Sequence, residues 1–248
     1  MDFTNVTKGR WRRLDEELLK SKRAEIRDAL MLNDNGKVVR SVTNVIEILE
    51  HDPVLEGTFR KNLLTDRVDV VKSTPWNEKV HCFEDDDLHQ VALLMEGYGI
   101  LNSNPQVDSG IRIVAGRNKY HPIQDKLNSL EWDRIPRVAK ALHFFLGCKE
   151  SELVYEALKL FILGAVNRVF HPGCKFETML CLVGKQGDGK STFFRLLAMK
   201  DEWFSDDLKR LDDENVVRKM GGHWIIEMAE MVATASARYI EENKAFIS

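Results

Sequence analysis

The sequence predicts an α/β protein in two parts. A mostly helical N-terminal region occupies residues 1–171, with a small β element near 58–72, and a phosphate-loop (P-loop) NTPase core occupies 172–248. Three observations predict this. Residues 184–191 read Gly184-Lys185-Gln186-Gly187-Asp188-Gly189-Lys190-Ser191, a complete G-x-x-x-x-G-K-[ST] loop. The apolar run Met179-Leu180-Cys181-Leu182-Val183 precedes it and Phe193-Phe194-Arg195-Leu196-Leu197 follows, the strand–turn–helix context that the motif needs. Upstream, helical apolar periodicity recurs, broken by proline and glycine.

Taken in chain order, Trp11 to Leu32 reads as one charged amphipathic helix closed by Asn33-Asp34-Asn35-Gly36. Its basic residues, from Lys8, Arg10, Arg12 and Arg13 to Lys20, Lys22 and Arg23, are interleaved with Asp15, Glu16 and Glu17. They fit a solvated face first and a nucleic-acid contact second. Ser41 to Leu49 forms a short helix with Val42, Val45, Ile46 and Leu49 on one face, ended by Asp52-Pro53. Residues 58–72 alternate as strands around a Thr65-Asp66-Arg67 turn. Asp85-Asp86-Asp87 opens a further helix, where three carboxylates offset the helix dipole; a metal cluster is the weaker reading, because no second acidic set stands at a useful spacing. Two helices over 107–119 and 121–130 are broken at His121-Pro122, and another spans 138–146. Leu153 to Phe170 is the longest strongly apolar helix, stopped by His171-Pro172-Gly173. After residue 175 the sequence supplies strands at 178–183 and 223–228, with a third near Trp203-Phe204. A phosphate-loop sheet usually holds more, so the core is expected to be incomplete at its C-terminal end.

Composition narrows the function classes. Hydrophobic residues make up 44% of the 248, enough for a core, and the net charge of −3 disfavours nucleic-acid binding by bulk electrostatics while leaving room for a local basic groove. No apolar run approaches a membrane span, and Met1-Asp2-Phe3-Thr4-Asn5 lacks the pattern of a secretion signal. A soluble cytoplasmic chain is expected, with no membrane contact. Cys82, Cys148, Cys174 and Cys181 form no C-x-x-C pair, and the seven histidines show no metal-ligand spacing.

The loop specifies its own chemistry. Glycines let backbone N–H groups converge on a polyphosphate, and the helix N-terminus adds partial positive charge. Lys190 is expected to reach the β- and γ-phosphates of ATP, and Ser191 to hold Mg²⁺ through its hydroxyl. Gly184, Lys185, Gln186, Gly187, Asp188, Gly189, Lys190, Ser191 and Thr192 are thus the candidate nucleotide contacts. A phosphate-loop enzyme also needs an acid at the end of another strand. Trp224-Ile225-Ile226-Glu227-Met228-Ala229-Glu230 supplies it, with Glu227 assigned to Mg²⁺ through water and Glu230 to the attacking water. The two roles are interchangeable, and the plain alternative is a pair of surface carboxylates at a strand end.

These residues, with His121-Pro122, the run Leu127-Asn128-Ser129-Leu130-Glu131-Trp132-Asp133 and Pro136-Arg137, resemble the virulence-associated protein E family. Gly164-Ala165-Val166-Asn167-Arg168, Pro172-Gly173-Cys174-Lys175 and Lys244-Ala245-Phe246-Ile247-Ser248 carry the same resemblance, which spans roughly residues 40–248. That family comprises phage- and pathogenicity-island-encoded ATPases related to superfamily 3 and primase-associated helicases. The resemblance implies an AAA+/helicase-like core in a ring-forming homo-oligomer, hydrolysing ATP while acting on DNA during replication of a mobile element. It also implies that more of the core, including an Arg-rich stretch with the sensor and arginine finger, follows Ser248. A truncated protein that binds nucleotide, DNA or a partner without turnover is the competing expectation. Arg137, Arg168 and Lys175 match family positions without an assigned role, Arg168 reading as a helix-face ion-pair partner. Lys209-Arg210 and Arg218-Lys219 are candidate DNA contacts with the N-terminal helix.

Overall fold

The computed structural model describes residues 16–101, 104–208 and 216–228. It is a mixed helix and sheet structure in two compact units that meet between Tyr120 and His121. The division expected between residues 171 and 172 lies inside the second unit, where the long helix before it packs with the loop helix after it.

In the first unit, helix α1 (Glu16–Ala29) realises the predicted charged helix, whose residues before Glu16 lie outside the described part. Helix α2 (Val42–His51) starts because the Ser41 hydroxyl accepts from the Asn44 N–H, and it buries Val45, Ile48 and Leu49. Strands β1 (Phe59–Asn62) and β2 (Arg67–Val70) form the expected hairpin, with Asp66 at φ 57° in its turn. Strand β3 (His81–Cys82) adds to β2. Helix α3 (Asp85–Gly97) begins at the three aspartates, as predicted, and α4 (Asn104–Arg117) follows. The helix expected through residue 119 stops at Arg117, because the Asn118 N–H closes its last turn on Val114 and Ala115. Lys119–Tyr120 then becomes β4, pairing in parallel with β1 and completing a sheet of order β3-β2-β1-β4.

Helices α2 and α4 meet at Gly110, where a Cβ would lie 2.5 Å from Val45 Cγ1. Around that contact Ile48, Leu49, Phe59, Val70, Met95 and Ile111 are fully buried. Two buried polar residues organise the periphery. The Asp52 carboxylate accepts from Arg23 Nε (3.1 Å), the Tyr98 hydroxyl (2.7 Å) and the Val54 N–H (2.8 Å), tying α1, α2 and the end of α3 together. Asp87, also buried, accepts from Trp76 Nε1 at 2.9 Å and from His81 Nε2 at 2.9 Å. His81 Nδ1 stands 2.8 Å from the Lys79 carbonyl, so both ring nitrogens face acceptors and the imidazolium satisfies both. Burial opposes the charge on His81, but the Lys79 carbonyl and the Asp87 carboxylate outweigh it and hold its pKa above the ordinary value.

In the second unit, α5 (Pro122–Asn128) opens with Pro122 in its first turn and is bound to the long helix by Gln124 Nε2, which donates to the Val169 carbonyl at 2.6 Å. The helix predicted over 138–146 divides into a 3-10 turn (Arg137–Lys140) and α6 (Ala141–Leu146), closed by Gly147 at φ 65°. Helix α7 (Glu152–Phe170) is capped by Ser151. Its Gly164 is a close-approach site, since a Cβ there would fall 2.3 Å from the Phe176 ring. Residues 178–183 run without helix or ladder, so the strand expected here forms no sheet with any described residue. Side-chain packing holds it instead: Leu180 and Leu182 join Leu142, Leu158, Phe161 and Phe193 in one apolar cluster. Helix α8 (Lys190–Leu197) follows the loop. Strand β5 (Phe204–Ser205), helix α9 (Val216–Met220) and strand β6 (Ile225–Ile226) complete the described part. Strands β5 and β6 pair in parallel, Phe204 with Ile225 and Ser205 with Ile226, realising the expected strands at 203–204 and 223–228 in shorter form. No helix among the described residues is long and apolar enough to cross a membrane.

Two measurements test this packing. The raised His81 pKa contributes stability that is fully present below its unfolded value of 6.5 and is lost as pH rises through the folded pKa. Urea midpoints above that value should therefore fall with pH, and a His81→Gln variant should show a shallower dependence. Gly164→Ala should cost about 1–3 kcal/mol in the same unfolding assay, because the new methyl displaces the Phe176 ring. Phe176→Leu in that background should recover part of the loss.

Candidate functional site

Backbone conformation comes first in the loop. Gly187 (φ 90°) and Gly189 (φ 83°) both adopt left-handed geometry, which side-chain-bearing residues reach only with strain. Gly189 is the N-cap of α8, so the chain turns there directly into a helix whose first N–H groups have no partner within the helix. Lys190 is its first residue. The ammonium donates back to the carbonyls of Gly184 (3.1 Å) and Lys185 (2.6 Å), bridging the start of the loop to its end. The absence of a side chain at Gly184 matters too: a Cβ would come within 2.7 Å of Asp188 Oδ2. Lys185, Gln186, Asp188 and Thr192 are exposed around this turn.

The acid arrives from the parallel pair. The Trp224 N–H donates to the Trp203 carbonyl and the Glu227 N–H to the Ser205 carbonyl, each at 2.8 Å, extending the β5–β6 register to Glu227. The Trp224 indole donates to the Ala165 carbonyl of α7 at 3.0 Å, and α8 packs on both strands. Glu227 is thereby delivered to the start of α8, where the Ser191 hydroxyl donates to Glu227 Oε1 at 2.7 Å across 36 positions of sequence. The second oxygen, Oε2, is buried with no hydrogen-bond partner among the described residues. A buried carboxylate oxygen without a donor is costly, and a hard divalent cation or its hydration shell would satisfy it. Ser191 and Glu227, both oxygen donors, therefore fit Mg²⁺. Among the described residues no group of three or more His, Cys, Asp or Glu could hold a metal by itself, so protein groups alone make an incomplete shell.

The residues expected at the site thus come together where they are described. Gly184 to Thr192 form the turn and helix start, and Ser191 meets Glu227. Glu230 lies outside the described residues, as do Lys209, Arg210 and the basic positions before Glu16. Lys219 stands 4.0 Å from Asp207. Arg137 is held by Asp133 through two bonds of 2.8 and 2.6 Å, and its guanidinium pushes the Asp133 carboxyl down to about 2. Lys175 pairs with Glu177 at 2.6 Å. Arg168, expected in a helix-face ion pair, makes none with a described residue and instead borders an apolar cavity of about 290 Å³ beside Phe161 and Phe176. Sequence reasoning missed Leu146, whose Cδ2 lies 3.8 Å from where a Cβ of Gly189 would stand, because nothing in the periodicity of 138–146 signals which face meets the loop. It also missed the Arg195–Asp201 pair, with bonds of 2.7 and 2.8 Å, that fastens the end of α8 to the approach to β5.

A model of the virulence-associated protein E-like domain matches residues 127–248, which include the loop, α8 and Glu227. A comparison with curated proteins gives no match. Residues 127–248 are thus similar to the virulence-associated protein E-like domain, in line with the resemblance read from the sequence.

Proposed function

We propose that the second unit binds Mg·ATP and hydrolyses it, as the motor module of a replicative DNA helicase carried by a mobile element. The observation that carries this reading is the Ser191–Glu227 hydrogen bond beside the orphaned Glu227 Oε2, at the mouth of a glycine loop in left-handed geometry. A phosphate-loop site needs that pair of oxygens next to its phosphate cradle, and an ordinary glycine-rich turn does not.

In this reading the free N–H groups at the start of α8 and the loop receive the β- and γ-phosphates. Lys190 exchanges the carbonyls of Gly184 and Lys185 for phosphate oxygens, so one ammonium serves both the empty and the filled loop. Ser191 and Glu227 hold the cation, Glu227 directly or through water. Mg²⁺, when bound there, would supply neutralisation of the phosphate charge. Glu230 orients the attacking water, with its role and that of Glu227 interchangeable. The reading extends to action on single-stranded or fork DNA by several copies assembled into a ring, as the sequence resemblance implies.

A second reading, nucleotide binding without turnover, is favoured by one observation: the stretch leading into the loop has no strand beside it among the described residues. ATP hydrolysis with and without single-stranded DNA, together with direct nucleotide binding, separates the two. Lys190→Ala should weaken ATP binding on the order of 100-fold, and Glu227→Gln should keep binding while lowering turnover by a similar factor. Unchanged binding and turnover in Lys190→Ala would overturn the assignment. Lys190-dependent binding with no turnover in the parent chain would favour the second reading.

A further inference from the structure

The loop borders a cavity of about 220 Å³ that phosphate chemistry does not explain. One rim is the loop itself, at Gly184, Asp188 and Lys190. The walls are apolar: Leu142 and Leu146 of α6, Val154 and Ala157 of α7, and Leu180 and Leu182 of the extended stretch. The remaining lining side chains are Leu153, Val183 and the thiols of Cys148 and Cys181, so among the described residues no carboxylate, amide or hydroxyl side chain faces inward from the walls. Peptide groups on the α6 side are already engaged. The Cys148 carbonyl is 2.8 Å from His143 Nδ1, and the Leu142 carbonyl accepts from the Cys148 N–H at 3.3 Å. The cavity is therefore charged at its rim, where a polyphosphate would sit, and greasy behind it.

We propose that this cavity takes the nucleobase of the bound nucleotide and that it accepts all four common bases alike. The proposal rests on the nucleotide-binding reading above and adds to it the location of the base and the breadth of substrate. The reasoning is one of contrast. A site that discriminates bases does so with groups that pair with their edges, and leaves those groups unsatisfied when the wrong base enters. Apolar walls gain from any flat ring they remove from water and have no such penalty to impose. The bound species is then a nucleoside triphosphate of any base, recognised through its phosphates and enclosed through its ring.

The test measures binding of ATP, GTP, CTP, UTP and inorganic tripolyphosphate to the full chain with Mg²⁺, in the parent, in Lys190→Ala and in Ala157→Trp, which fills the cavity. The four nucleotides should bind within about ten-fold of one another. All should exceed tripolyphosphate. Ala157→Trp should bring their affinities down towards that of tripolyphosphate while tripolyphosphate binding stays unchanged, which also shows that the variant folds. A preference of about 100-fold or more for one base would mean that peptide groups of the 178–183 wall read its edge, and would overturn the proposal. Nucleotide affinity untouched by Ala157→Trp would place the base elsewhere, also overturning it, while Lys190-dependent tripolyphosphate binding left the phosphate site standing. Loss of every interaction, tripolyphosphate included, in the parent chain would overturn both readings together.

Discussion

The hydrogen bond from Ser191 to Glu227 is the constraint on which the arrangement of the second unit depends. It joins the first turn of the helix after the glycine loop to the end of a two-residue strand, and neither element could hold its functional group in place alone. Strands β5 and β6 are short, so the register at Glu227 relies on additional fastening. The Trp224 indole on the Ala165 carbonyl, the Arg195–Asp201 pair and the burial of Trp203 provide it. The first secures the acid strand β6 to α7 and the other two secure its partner β5, and together they fix where the carboxylate stands relative to the loop. The cost of that fixation is visible in Glu227 Oε2, which is buried without a partner among the described residues. Polar groups left in that condition are uncommon in folded proteins and concentrate where a ligand completes them.

Lys190 shows how the loop is kept in shape. A tight turn through two left-handed glycines brings several carbonyls close together, and the ammonium spans Gly184 and Lys185 to offset their repulsion. Under the proposed function, an anion would meet a loop already held in shape, which reduces the ordering that binding would otherwise demand.

How much of this was legible in the sequence depends on the range of the interactions. The loop, the helix after it and the helix starts at Ser41 and Asp85 follow from chemistry within a few residues, and the sequence was sufficient for them. The acid at the tip of Trp224-Ile225-Ile226-Glu227 was legible as a common pattern, an apolar run ending in glutamate, whereas its hydrogen bond to Ser191 is set by the packing of β6 against α8. Features set by distant partners were not. The parallel addition of Lys119–Tyr120 to β1 turned the end of a predicted helix into a strand. The apolar run at 178–183 met side chains in place of a neighbouring strand. The approach of Leu146 to Gly189 depends on the angle at which α6 leaves its 3-10 turn, which no periodicity encodes. The division of the chain at Tyr120 and His121 likewise follows from which helices pack together.

The contact between Gly164 and Phe176 has a consequence for how the segment before the loop can vary. Phe176 pins one end of that segment against α7, and the glycine turn at Gly184 fixes the other. Between them the side chains alternate: Leu180 and Leu182 pack on the apolar cluster, while Met179 and Val183 are exposed. Inserting or deleting one residue in an extended run exchanges its two faces. A length change between these anchors would put the leucines in water and rotate the loop away from Glu227, so the number of residues there is as much a part of the site as their identity.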